Sequence, residues 1–223
     1  MKKIITGLGI ILTSMSAANA QLFDFDSIAD AGNSNEATGV SVSGSVAVDL
    51  ALRTLKFTIN NDSTGSIGDM VAFGFWNAPN PAGTAEVLYS GFSHTTGNSW
   101  NGPVDRVNDL WSMGETESYE GAEAVNQGSG NDGVAQGDSA MFTFSALLVP
   151  GQDLEGVVAR WTANNEDTVG SNSDLRVRFQ STPNGGSDKL YINLRAVPEP
   201  STYGMIGASA LVLLIAARRF KKK

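Results

Sequence analysis

Alternating apolar residues dominate the middle of this chain and constrain its fold more than any other feature. Val42, Val46 and Val48 share one parity, whereas Leu55, Phe57 and Ile59 share the other. A turn over residues 51–54 would let both sets face one core, which predicts a long hairpin. Further short apolar runs predict strands at residues 22–25, 70–76, 85–89, 140–148, 156–161, 175–179 and 189–194.

Turn-forming clusters separate these runs. The chain has 25 glycines among 223 residues, well above the usual share of ~7%. Roughly nine short strands with Gly/Asn turns favour an all-β fold, an antiparallel β-sandwich of jelly-roll type, over residues 21–197. A β-helix is the next alternative, although the chain has no fixed short repeat. Residues 112–137 are acidic and rich in glycine, which predicts a long surface loop with one helical turn at 119–125.

The charges are distributed unevenly along the chain. Residues 21–197 hold 22 acidic and eight basic residues, a formal charge of −14, whereas the whole chain carries −8. Nonspecific nucleic-acid binding needs a basic face, so no nucleic-acid partner is predicted. The chain has no cysteine, which excludes disulfides, thiol catalysis and Cys-ligated zinc.

Residues 1–20 have the three parts of a signal peptide. Lys2 and Lys3 precede an apolar run over residues 4–12, and Ala18-Asn19-Ala20 follows as a small–x–small site. That order predicts export and cleavage by signal peptidase after Ala20.

Residues 198–223 combine an extended triplet, an uncharged run and a basic end. Pro198, Glu199 and Pro200 resist regular backbone pairing, so this triplet should be extended and accessible. Residues 201–217 carry no charge and as a helix would reach about 25 Å, near the lower limit for a transmembrane helix. A basic stop cluster then holds the terminus on the cytoplasmic side. It consists of Arg218, Arg219, Lys221, Lys222 and Lys223.

This C-terminal arrangement resembles the PEP-CTERM sorting signal of Gram-negative bacteria. The resemblance covers about the last 26 residues, together with the general layout of signal peptide, body and tail. It implies that the helix holds the precursor in the inner membrane with its body in the periplasm. It also implies that an exosortase processes the Pro-Glu-Pro region, and that the product reaches the cell surface or a biofilm matrix of exopolysaccharide. The alternative is a rigid linker before a permanent anchor.

Few residues of the body are candidates for catalysis. His94 is the single histidine, and no Gly-x-Ser-x-Gly motif surrounds a serine, so neither a serine-hydrolase triad nor a His-ligated zinc site is predicted. Two carboxylates for glycoside hydrolysis stay open as an alternative, because 22 acidic residues can always supply a pair. No catalytic residue and no cofactor is therefore assigned.

Two binding sites are weaker candidates. Asp62, Asp69, Asp132 and Asp138 lie among Gly and Asn residues and could supply oxygen ligands to a structural calcium ion. No Asp-x-Asp-x-Asn-Gly run is present, so solubilising charge is the preferred interpretation and no metal site is assigned.

Tryptophans suggest the second site. Trp100 and Trp111 lie in a polar, Gly-rich segment where an exposed indole could stack on a sugar ring. Hydrophobic anchoring of that segment is the preferred alternative, and Trp76 and Trp161 are expected in the core or on a sheet.

The function predicted from these features is that of an exported, exosortase-sorted protein. Its body would act as a noncatalytic structural or adhesive component of the surface or matrix. A lectin-like carbohydrate-binding module and an extracellular polysaccharide hydrolase are the alternatives.

Overall fold

The computed structural model describes residues 20–26, 31–33, 39–64, 68–77, 87–105, 119–125, 132–147, 154–163, 173–180 and 187–197. These residues form twelve strands and one short helix, α1, at Leu154–Ala163. The strands are β1 Ala20–Asp26, β2 Ala31–Asn33, β3 Val42–Asp49, β4 Thr54–Asn61, β5 Met70–Trp76, β6 Tyr89–His94, β7 Trp100–Asp105, β8 Tyr119–Ala124, β9 Ser139–Ala146, β10 Leu175–Gln180, β11 Ser187–Ile192 and β12 Arg195–Val197.

The described strands assemble into two six-stranded sheets. Sheet A has the order β12-β1-β3-β4-β9-β6, and sheet B has the order β2-β11-β10-β5-β8-β7. The strand pairings are antiparallel. The mostly antiparallel β architecture predicted from the alternation is therefore confirmed.

The two sheets face each other across an aromatic core. Phe57 of sheet A stacks on Phe75 of sheet B with ring centroids 4.9 Å apart. Phe73 of sheet B lies 4.7 Å from Phe142 of sheet A. All four side chains are fully buried, and each contributes about 1.5–3 kcal/mol through loss of water contact.

The predicted β3–β4 hairpin is confirmed in its register. Val46 lies opposite Phe57 and Val48 opposite Leu55, and all four side chains point into the core with no exposed surface. Inward-facing residues have even numbers in β3 and odd numbers in β4, which lets both strands of the hairpin present their apolar side chains to the same core. The turn contains Arg53, whose φ is 53°.

One predicted strand is wrong. Residues 156–161 belong to α1 and not to a strand. The buried positions Leu154, Val157, Val158 and Trp161 follow the i, i+3, i+4, i+7 spacing of an amphipathic helix. The adjacent Val157 and Val158 favoured a strand locally. The four-residue spacing from Leu154 to Val158 places these two side chains on the same helix face.

Two further local predictions need correction. Residues 119–124 form β8 within sheet B and not a helical turn in a surface loop. The Tyr119 hydroxyl donates to the Ser173 carbonyl oxygen at 2.6 Å, so a partner distant in sequence fixes this segment. The strand predicted at 85–89 begins only at Tyr89 and continues to His94 as β6. Short strands β2, β7 and β12 were not predicted.

Both predicted membrane-contacting segments lie outside the described residues, apart from Ala20, which opens β1. Within the described part of the chain, no helix is both long and apolar enough to cross a membrane.

Candidate functional site

The last strand of the body leads directly into the Pro-Glu-Pro triplet. β12 lies at an edge of sheet A and pairs with β1, with Val197 opposite Leu22. Arg195 Nε also donates to Asp24 Oδ1 at 3.0 Å, which links the same two strands through side chains. Pro198 has no N–H with which to continue the backbone pairing. The last described strand therefore ends at Val197, at an edge of sheet A.

The strand register shows at which end of the body this strand finishes. Ala20 lies opposite Asp49, so the β3–β4 turn is at the same end of sheet A as the start of β1. Because Val197 lies opposite Leu22, β12 finishes there as well. β9 ends and β6 begins at this end, with Ala146 opposite Tyr89. We call it the exit end, formed by residues 20–22, 50–53, 88–89, 146–147 and 197.

The family model of the PEP-CTERM protein-sorting motif matches residues 196–222, beginning inside β12. The chain carries a PEP-CTERM sorting motif. The predicted resemblance is thus confirmed, and the motif implies an exported protein that is membrane-anchored before processing by an exosortase. No curated protein and no solved structure matches the chain.

The PEP-CTERM match covers most of the sorting residues predicted from the sequence. It includes Pro198, Glu199 and Pro200 and runs through the basic cluster as far as Lys222. These residues lie outside the described part of the chain, as does Ala18 of the predicted signal-peptidase site. The other residue of that site, Ala20, is the first residue of β1 and pairs with Asp49.

An acidic cavity of about 360 Å³ lies at the end opposite the exit end. Asp69 and Asp138 both line it, and Asp69 Oδ2 accepts a hydrogen bond from the Gly133 N–H at 3.3 Å. Burial raises the pKa of Asp69 above its usual 3.8, and the hydrogen bond from Gly133 opposes this. The charges of Asp132 and Asp138 raise the Asp69 pKa further. The cavity therefore favours retention of a proton on Asp69.

The cavity brings together some of the aspartates considered as calcium ligands. Asp69 and Asp138 line it and Asp132 acts on Asp69 electrostatically, whereas Asp62 is not among the lining residues. Within the described residues, no three carboxylate or imidazole groups are placed to hold a metal ion. A structural calcium ion stays an untested alternative to the preferred interpretation, solubilising charge.

The exposed-indole interpretation is wrong for Trp100. Its side chain is only 6% exposed, and its ring centroid lies 4.7 Å from that of Phe142. The ring anchors β7 to the core and has no free face for a sugar. Trp111 lies outside the described residues. His94 is part of β6, with its Nδ1 2.9 Å from the Thr96 hydroxyl oxygen.

A buried cation on sheet B was missed by sequence reasoning. The Arg176 guanidinium lies 4.3 Å from the ring centroid of Tyr119 and 5.0 Å from that of Tyr191, and Arg176 is 1% exposed. Gly74 lies opposite Arg176 in the neighbouring strand and carries no side chain above the sheet. The two tyrosines come from segments far apart in sequence, so no local pattern places them beside Arg176. The alternation of Arg176, Val177 and Arg178 indicated only that the two arginines share the outer face of the sheet.

Proposed function

We propose that this protein is an exported component of the cell surface or of an exopolysaccharide matrix, with a structural or adhesive and noncatalytic role. A signal peptide over residues 1–20 delivers it to the periplasm. A helix over residues 201–217, stopped by the basic cluster, holds the precursor in the inner membrane until exosortase acts at Pro198-Glu199-Pro200. The body is a β-sandwich of jelly-roll type.

The observation that carries this proposal is the junction between body and sorting motif. The motif match begins at residue 196, and the last body strand ends at Val197. Only the three residues of the triplet separate this strand from the uncharged run that begins at Ser201. A processing enzyme at the membrane surface can reach an extended triplet that follows a strand at the sheet edge, because the two prolines prevent regular backbone pairing there.

The packing of the body suits a structural role. Its core joins both sheets through aromatic contacts such as Trp100–Phe142 and Phe57–Phe75, with centroids 4.7 and 4.9 Å apart. Helix α1 adds Trp161, whose ring meets Phe23 edge-on at 5.7 Å. Aromatic pairs of this kind contribute about 0.5–1.5 kcal/mol each beyond their burial. Dense packing resists local opening, as an exposed extracellular component requires.

Replacing the triplet tests the sorting proposal. Pro198-Glu199-Pro200 changed to Ala-Ala-Ala should accumulate a membrane-bound precursor of unprocessed mass in the native host. The matched control, Ser201-Thr202 changed to Ala-Ala, alters neighbouring residues but keeps the triplet and should be processed normally. Release of the triple-alanine variant with the wild-type mass would contradict the proposal. Intact mass of the released protein reports the processing at both ends.

The acidic cavity favours a second candidate, hydrolysis of a polysaccharide. Asp69 has a raised pKa beside Asp138 in one cavity, and a protonated carboxyl next to a second carboxylate is the pairing that glycoside hydrolysis uses. Release of reducing ends from the host exopolysaccharide would support it. Asp69→Asn should then abolish the release, whereas Asp62→Asn, outside the cavity, should not. Equal rates of reducing-end release for both variants and the wild type would show that the cavity has no role in hydrolysis.

A further inference from the structure

Exposed leucines are concentrated at the exit end of the body. Among the described residues, the large exposed hydrophobic side chains are Leu22, Leu52, Leu88, Val125 and Leu147. Leu52 is 73% exposed, Leu88 51% and Leu147 38%, and all three belong to the exit end. Apolar side chains grouped on one surface indicate a contact with a partner or a membrane.

Hydrogen bonds link the three segments that carry these leucines. The Leu147 N–H donates to the Leu88 carbonyl oxygen at 2.7 Å. Arg53, next to Leu52, donates from Nη2 to the Leu147 carbonyl oxygen at 2.8 Å. The Arg53 carbonyl oxygen accepts from the Ala146 N–H at 2.8 Å. We call this surface the leucine rim, consisting of Leu52, Leu88 and Leu147.

The sorting motif brings the leucine rim close to the membrane. Val197, the last body residue, is at the exit end. From Val197 to Ser201 an extended chain spans at most about 14 Å. With the uncharged run beyond Ser201 in the bilayer, the exit end faces the lipid surface at a short distance. A contact between them is then intramolecular and strongly favoured by effective concentration.

The position of the acidic cavity supports the same orientation. The rim has a cation and a carboxylate beside it, Arg53 and Asp49, whereas Asp62, Asp69 and Asp138 are at the opposite end. Anionic lipid headgroups attract basic side chains and repel carboxylates. A body oriented with its leucine rim toward the bilayer therefore keeps this acidic end in water.

We propose that the leucine rim is a membrane-docking surface, with Leu52, Leu88 and Leu147 inserted at the interface of the bilayer that holds the precursor. This inference rests on the proposed membrane-anchored precursor and adds an orientation of its body. The docking holds the Pro-Glu-Pro triplet at the depth where a membrane-embedded processing enzyme would meet it. After processing the body is no longer tethered, and the leucine rim is then its only contact with the bilayer that must dissociate for release.

The absence of native cysteine makes a site-specific test direct. Full-length precursor carrying Ala51→Cys, in the β3–β4 turn and exposed, is labelled with a nitroxide and reconstituted into vesicles of phosphatidylethanolamine and phosphatidylglycerol. Val125→Cys, 50% exposed and next to β8 at the opposite end, is the matched control. Accessibility to oxygen and to a polar nickel chelate is measured for both labels.

The label at residue 51 should be more accessible to oxygen and less accessible to the chelate than the label at residue 125. Changing Leu52, Leu88 and Leu147 together to Ser should bring the oxygen and chelate accessibilities of the label at residue 51 to those of the label at residue 125. Equal chelate accessibility at both positions in the unchanged rim would overturn the inference. Spin–spin broadening at residue 51 that persists at high dilution with lipid would assign the rim to a second copy of the chain and would also overturn it.

Carbonate extraction of the same vesicles separates this inference from the proposed function. A precursor that resists extraction, with a water-exposed label at residue 51, refutes the docking alone. A precursor that is extracted refutes the membrane anchor, and the docking inference fails with it.

Discussion

Trp161 provides the most direct test of how α1 completes the core. The side chain has no exposed surface, and its Nε1 donates to the Trp76 carbonyl oxygen at 3.1 Å. Its ring also meets those of Phe23, Phe57 and Phe75 with centroids 5.7, 6.5 and 6.2 Å apart. One helical residue therefore contacts both sheets.

Trp161→Ala should lower the free energy of unfolding substantially. Truncation of a buried tryptophan costs about 3–5 kcal/mol, and loss of the hydrogen bond to Trp76 adds about 1 kcal/mol. A total of about 4–6 kcal/mol is a large fraction of the 5–15 kcal/mol that stabilises an ordinary domain. Trp161→Phe keeps most of the ring contacts and should cost about 1–3 kcal/mol, since it removes the donor and part of the volume.

Urea unfolding followed by far-UV circular dichroism measures these differences without relying on tryptophan fluorescence. Thr162→Ala is the matched control, because Thr162 is the next residue of α1 and is exposed. This control should change stability by less than about 0.5 kcal/mol. A Trp161→Ala variant within about 1 kcal/mol of the control would refute the conclusion that α1 is part of the core.

Three further predictions concern the body. Burial raises the pKa of Asp69, so the folded state favours the protonated carboxyl and this group stabilises the fold most at acidic pH. The stabilisation falls as pH rises from 3.8 through the folded pKa. Asp69→Asn should therefore raise the Tm at neutral pH, and a lowered Tm would contradict this. Burial, and secondarily Glu120, raises the pKa of Tyr89 well above 10, so the free energy of unfolding should decline above pH 10. Tyr89→Phe should weaken that decline, as measured by urea unfolding at a series of alkaline pH values. Gly44→Ala places a Cβ against the Thr58 carbonyl oxygen and should destabilise by about 1–3 kcal/mol or more, whereas Gly97→Ala, with open space around its Cβ, should not change the Tm measurably.

The antiparallel β architecture could be predicted from the sequence because alternation with period two is local information. The β3–β4 hairpin shows this well, since the parity of Val46 and Phe57 alone identified their common face. Helix α1 could have been identified from the spacing of Leu154, Val157, Val158 and Trp161, but the adjacent valines favoured a strand. The segment at 119–124 could not be assigned in this way, because Tyr119 depends on Ser173, which is far away in the chain.

The candidate sites differ in the same respect. The sorting motif was predictable because its parts are contiguous, from Pro198 to the basic end. The leucine rim was not, because Leu52, Leu88 and Leu147 come from three loops that only the register of sheet A brings together. For Trp100 the sequence favoured hydrophobic anchoring over an exposed indole but could not identify Phe142 as the ring that covers it, because Phe142 is distant in the chain.

The pairing of β1 with β12 makes sheet A depend on a contact between distant segments, since Asp24 and Arg195 are 171 positions apart in the chain. β1 cannot acquire its outer neighbour until residues 195–197 have been synthesised, and the uncharged run begins at Ser201. Completion of this edge of sheet A and synthesis of the uncharged run are therefore almost simultaneous events. Until then β1 presents an unpaired edge, so a holding factor on the far side of the translocation pore would protect the nascent polypeptide from aggregation.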